Sequence, residues 1–141
     1  MVAQRRKMCE QYTSANQTVY SYRFDTPLWN ASAIQTPVSV YHFNNVVFSF
    51  QNISGALGPL PQYQSYKDLS LSIGKAYANF VGTHNPNGEG KSRTGLPMWP
   101  KYRIREPTNM VLNSNLSFVE ADTWRAAGIA FINSISRELL A

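Results

Sequence analysis

The 141-residue sequence predicts an α/β fold built on a parallel or mixed sheet, and three observations point there. Residues Val19 to Phe24 read VYSYRF, with β-branched and aromatic positions set among small or polar ones, which suits a strand. From Gln64 onward Tyr66, Leu69, Ile73, Tyr77 and Phe80 recur at steps of three and four, the apolar stripe of an amphipathic helix. Along the chain the signals run helix, strand, long loop, helix, strand pair, helix, an alternation that belongs to layered α/β architecture.

Each element has its own warrant. The segment Ala3 to Ala15 is polar and lacks Gly and Pro, so it predicts a helix with Arg5, Arg6 and Lys7 exposed. VYSYRF ends at Asp25 because Thr26-Pro27 breaks the strand. Its bulky residues require cover on both faces, and the three strands this chain offers make too small a sheet for that, so further strands are expected from sequence the chain does not contain. Residues Thr26 to Pro37 have loop composition and lead into VSVYHFNNVVFSFQN, which fits either a strand or a short helix. The helix from Gln64 ends near Gly82, and a loop follows over 83–109, with THNPNGEGKSRTGLP giving way to the aromatic cluster WPKY. Met110 to Asn113 and Leu116 to Glu120 read as two short strands. Asp122 offers an N-cap to a last helix whose inner face is Trp124, Gly128, Phe131, Ile132, Ile135 and Leu139, and this face and the Tyr66–Phe80 stripe are expected to be packed.

Composition narrows the function. With 43% hydrophobic and 15% charged residues the chain is globular rather than disordered. No run approaches the roughly 18 apolar residues of a membrane span, and the basic opening MVAQRRKMCEQYT has no apolar stretch after it, so no signal peptide is expected within this chain. Cys9 is the single cysteine, and only His42 and His84 accompany it, which leaves no disulfide framework and no His/Cys cluster for a metal. Asn-x-Ser/Thr acceptors stand at Asn16, Asn30, Asn52 and Asn115. That is about twice the chance expectation and favours a secreted glycoprotein.

Three chemistries are weighed from the residues alone. Gly-Lys-Ser at 90–92 ends like a phosphate-binding loop, but the spacing requires a glycine where Asn85 stands. Lys91, Arg93, Lys101, Arg103 and Arg105, interleaved with Trp99 and Tyr102, form a pattern that a small basic nucleic-acid binder would use, set against a solvated basic loop beside packed aromatics. No G-x-S-x-G elbow is present to hold a nucleophilic serine, and His42, between Tyr41 and Phe43, taken alone fits a structural histidine as well as a catalytic one.

Five stretches, in order, resemble the C-terminal quarter of type B carboxylesterases, the cholinesterase and fungal lipase branch of the α/β-hydrolases. VYSYRFD is similar to a late sheet strand of that family, VYHFNNVVFSFQN to its catalytic-histidine loop, YANFVGTHNPN to the helix ending N-F-x-x-T-x-x-P-N, and WPKY and DTWRAAGIAFI complete the set. The resemblance spans Ala3 to Leu139. It implies that 1–141 is one C-terminal segment of a carboxylesterase type B domain with no internal boundary, a few strands with flanking helices, incomplete as an independent fold. His42 would be the general base and acid of a serine carboxylic-ester hydrolase that needs no cofactor and no metal.

The sequence departs from the family at one motif. Where the family carries H-G-x-E, this chain has His42, Phe43, Asn44 and Asn45, so both the glycine and the acid are replaced. The nucleophilic serine, the triad acid and the oxyanion loop lie upstream in family members and match nothing here. The resemblance therefore implies a fragment, inactive and poorly stable by itself, of an enzyme acting on carboxylic esters, with no nucleic acid as partner. Its alternative is a non-catalytic cholinesterase-like binding or adhesion module, which the loss of the acid at Asn45 would suit.

Overall fold

The computed structural model describes residues 2–27, 40, 42–51, 63–90 and 93–135. Seven elements follow one another: α1 (Val2–Ser14), β1 (Tyr22–Phe24), α2 (Asn44–Ser49), α3 (Gln64–Thr83), β2 (Thr108–Leu112), β3 (Phe118–Ala121) and α4 (Ala126–Ser134). The strands form one sheet in the order β1-β2-β3, and β1 runs parallel to β2 with Tyr22 opposite Met110, Arg23 opposite Val111 and Phe24 opposite Leu112. The expected strands and the long helix are present, and VYHFNNVVFSFQN resolves into the short helix α2. Burial on both faces falls on β2, where Asn109 to Leu112 are all buried, rather than on β1, whose Arg23 is exposed. Val, Leu and Met suit an enclosed central strand, whereas the arginine and tyrosine of β1 carry polar ends that need solvent or partners.

The residues gather into two compact units. The first comprises Met1–Ser21, Pro100–Asn109 and Val119–Ala141, and here α1 packs on α4. Its centre is ionic. Arg6 donates from Nη2 to Asp122 Oδ1 at 2.8 Å, Arg5 donates from Nη2 to the same oxygen at 2.8 Å, and the Tyr102 hydroxyl donates to Asp122 Oδ2 at 3.1 Å. Arg5 also reaches Asn109 Oδ1 at 2.9 Å. The expected exposure of the α1 cations is thus corrected: Arg6 is buried and Arg5 is partly so.

The same contacts overturn the assignment of Asp122 as a helix cap. α4 begins at Ala126 after Arg125, and no side chain caps it, because two guanidiniums hold the carboxylate more strongly than backbone N–H groups would. With the start displaced, Ile129 is the residue α4 buries, while Trp124 and Phe131 are 62% and 65% exposed and Ile132 is exposed too. The packed inner face expected for this helix is therefore absent among its described residues, and Leu139 lies outside them. Arg125 covers Trp124 instead, its guanidinium carbon 4.5 Å from the ring centroid. Cys9 is buried in this unit, and burial pushes its thiol up despite the opposing influence of Ser21 and Arg5.

The second unit comprises Tyr22–Trp99 and Met110–Phe118. Its core is apolar: Phe48, Ile73, Met110, Val111 and Leu112 are essentially inaccessible to solvent. α3 buries Tyr66, Leu69, Ser70, Ile73 and Ala76, packing on α2, so the expected stripe holds through Ile73. It then turns outward, leaving Tyr77 half-buried and Phe80 exposed. Gly74 permits the close approach of α2's end, since a Cβ there would overlap the Gln51 side chain. Beyond α3, His84 takes the left-handed conformation that stops the helix, and the Asn87 side chain brackets Trp99 by accepting from its N–H at 2.6 Å and donating to its carbonyl at 3.1 Å. This bracket accounts for the sequence pattern T-x-x-P-N followed by W-P.

Candidate functional site

Parallel α/β sheets present chemistry beyond the carboxyl ends of their strands. At the end of β1 the backbone is sealed to β2: Asp25 N–H donates to the Leu112 carbonyl at 2.9 Å, Thr26 Oγ1 donates to the same oxygen at 3.2 Å, and Asn113 donates its amide to the Asp25 carbonyl at 2.9 Å. α2 returns to this end, where the Phe48 ring lies 5.1 Å from that of Phe24, the last residue of β1. His42 stands in the turn that enters α2, exposed to solvent, with Phe43 as the N-cap residue and Asn44 as the first helical one.

The turn has an unusual backbone. Phe43 adopts φ 81° and ψ −12°, the left-handed region that favours glycine, and its carbonyl accepts from Val46 N–H at 3.0 Å to start the helix. A bulky aromatic residue there costs about 1–3 kcal/mol, so the surrounding structure must hold it. The Phe43 ring lies edge-on to the His42 imidazole, with centroids 5.7 Å apart and planes inclined by 67°. Beneath α2 the Tyr77 hydroxyl donates to the Tyr22 hydroxyl at 2.9 Å, and the Asn45 side chain, two residues after Phe43, acts on that phenol. Burial and then the Tyr77 bond push the Tyr22 phenol well above its ordinary range, with Asn45 opposing them, so the Tyr22 hydroxyl stays neutral.

The other sequence candidates are not drawn into a site. Trp99 and Tyr102 are 5% and 3% exposed, so neither offers a stacking face to a base, while Arg93, Lys101, Arg103 and Arg105 are exposed and Lys91 lies outside the described residues. A shallow cavity of about 300 Å³ lined by Pro100, Lys101, Arg103, Glu106 and Thr108 contains neither imidazole nor thiol. No group of three or more His, Cys, Asp or Glu converges among the described residues, and none of their helices is long and apolar enough to cross a membrane. Sequence reasoning missed the strained Phe43 turn and the Asn45, Tyr22 and Tyr77 chain. The one signal for the first was the side chain standing where the resembled motif has glycine.

Comparison with curated proteins returned no match. Solved structures do match. An esterase from Clostridium hathewayi, described as able to hydrolyse aliphatic aromatic polyesters, aligns with a TM-score of 0.70 at 18% identity over 88% of this chain and 23% of its own. A carboxylesterase from Geobacillus stearothermophilus gives 0.64 at 22% identity over 87% of this chain and 24% of its own. A PNB esterase gives 0.60 at 26% identity over 77% and 21%. The chain thus spans less than a quarter of the length of these esterases, and the α/β arrangement it shares with them is part of the α/β-hydrolase fold. The sequence profile of the carboxylesterase family matches residues 1–130, so the turn that opens α2 sits within a chain that belongs to that family.

Proposed function

We propose that residues 1–141 form the C-terminal segment of one serine carboxylesterase domain and that His42 is its general base and acid. The observation that carries this reading is the position of His42 within the family match, exposed in the turn that opens α2. In such an enzyme the imidazole takes the proton of a serine as it attacks the ester carbonyl and returns it to the leaving alcohol, while an acid fixes the tautomer and backbone amides hold the oxyanion. Serine, acid and amides would come from the remainder of the domain, and residues 1–141 by themselves are expected to hydrolyse esters no faster than free imidazole.

Secretion is part of the proposal, since Asn16 and Asn115 are exposed and each begins an Asn-x-Ser/Thr triplet. A second reading, a binding module without catalysis, is favoured by Asn45, whose neutral amide stands where the resembled motif has an acid and is engaged with Tyr22. Ester hydrolysis by the full-length polypeptide carrying this sequence separates the two. His42→Ala is expected to lower turnover by about 10⁶-fold. Turnover unaffected by the substitution would refute the role of His42, and absence of turnover in the unsubstituted enzyme would favour the binding module.

A further inference from the structure

We propose that Phe43 sets the alcohol specificity of this esterase, its ring narrowing the space beside His42 through which the leaving alcohol departs, so that esters of small unbranched alcohols are preferred. The inference rests on His42 being the triad imidazole and names the half of the substrate that the site selects.

Three features of one residue support it. Phe43 is held at φ 81°, the residue is 62% exposed within this chain, and its ring stands edge-on to His42 at 5.7 Å. An aromatic side chain in this conformation is costly, and an exposed one gains little burial to offset that cost. What fixes the ring is the backbone: the Phe43 carbonyl starts α2, whose Asn44, Val47 and Phe48 are buried. Among the described residues the ring is therefore presented beside the imidazole rather than packed with the buried side chains.

The reaction gives that place a meaning. In acylation the serine oxygen bonds to the carbonyl carbon and its proton passes to the imidazole. The bond from that carbon to the alcohol oxygen then breaks, and the same proton passes to the departing oxygen, so the alcohol leaves neutral. The alcohol oxygen must come within hydrogen-bond reach of the imidazole, which brings its substituent alongside His42. Deacylation repeats the sequence with water in place of the alcohol, so a ring beside His42 discriminates between alcohols only in the first half-reaction. The acyl chain, on the other side of the carbonyl carbon, has no such obligation to pass the imidazole.

The test uses the full-length polypeptide carrying this sequence, with Phe43→Gly, Phe43→Asn and His42→Ala variants. Gly and Asn both tolerate a positive φ, so the turn is retained. Hydrolysis of methyl, ethyl, isopropyl and tert-butyl acetates is followed beside a series of methyl esters of increasing acyl length. Phe43→Gly and Phe43→Asn are expected to raise the tert-butyl to methyl ratio of kcat/KM by about tenfold or more. The relative rates along the acyl-length series keep their order and spacing. An unchanged ratio, or equal shifts in the alcohol and acyl series, overturns the role of Phe43 while loss of activity in His42→Ala leaves the triad reading standing. Retained activity in His42→Ala overturns both.

Discussion

In the first unit two guanidiniums close on the single buried carboxylate of Asp122, whereas in the second Phe48, Ile73, Met110, Val111 and Leu112 pack with almost no accessible surface. The two solutions respond differently to damage. Apolar packing is graded, losing stability with each methylene removed and with the cavity left behind. A buried charge cluster is nearly all-or-none, because removing one partner leaves the others desolvated without compensation. The first unit should therefore be sensitive to pH and to single charge changes, and the second to volume.

Four substitutions sharpen this contrast, measured by urea or thermal unfolding of the full-length polypeptide. Phe48→Ala should have the largest effect, about 3–5 kcal/mol, because the ring is fully enclosed and touches both Phe24 and Tyr66. Asp122→Asn should cost about 3 kcal/mol, leaving Arg6 buried without its counter-charge. Tyr77→Phe removes the hydroxyl bonded to Tyr22 and should cost about 1 kcal/mol. Asp25→Asn breaks the Arg23 pair at 2.9 Å, but both side chains are about two-fifths exposed, so a change within about 0.5 kcal/mol is expected. If Asp25→Asn proved as costly as Asp122→Asn, burial would not be what distinguishes the two ion pairs.

Acid supplies a further way to separate the units. Burial alone would raise the Asp122 carboxyl, but the hydrogen bonds and charges of Arg6 and Arg5 outweigh it and hold the group well below the usual carboxylate range. The unfolded chain then binds a proton that the folded chain refuses, so the Asp122 contribution is complete above the ordinary pKa of about 4 and declines as pH falls below it toward the depressed folded value. The wild-type protein should lose stability below about pH 4 more steeply than Asp122→Asn, which has no such carboxylate to protonate. Parallel acid-unfolding profiles would refute this assignment.

Much of the secondary structure was legible because it depends on local pattern. VYSYRF, the Tyr66–Ile73 stripe and the strand pair near Met110 each carry their periodicity within a few residues. The ionic cluster was not legible. Arg5 and Arg6 look like solvated helix residues, and the carboxylate that buries them stands more than a hundred positions away. Asp122 misled for the same reason: directly before an apolar run it has every local attribute of a cap, and only the tertiary partners decide otherwise. For α4 the sequence identified the apolar residues but not that Ile129 is the one buried while Trp124 and Phe131 stay exposed. At the candidate site, His42 and the glycine replaced by Phe43 were visible through family resemblance, but the left-handed backbone and the bonded Tyr22 and Tyr77 hydroxyls arise from tertiary packing that no local pattern encodes.

The solitary thiol of Cys9 gains a use from this arrangement. It lies 6% exposed in the unit held by charge, and burial disfavours its thiolate, so a thiol reagent can react there only when α1 lifts away. Alkylation at Cys9 is thus a stopwatch for the opening of that unit, readable by mass without spectroscopy and without a label. Because the sequence contains no second cysteine, its signal would carry no contribution from the apolar unit.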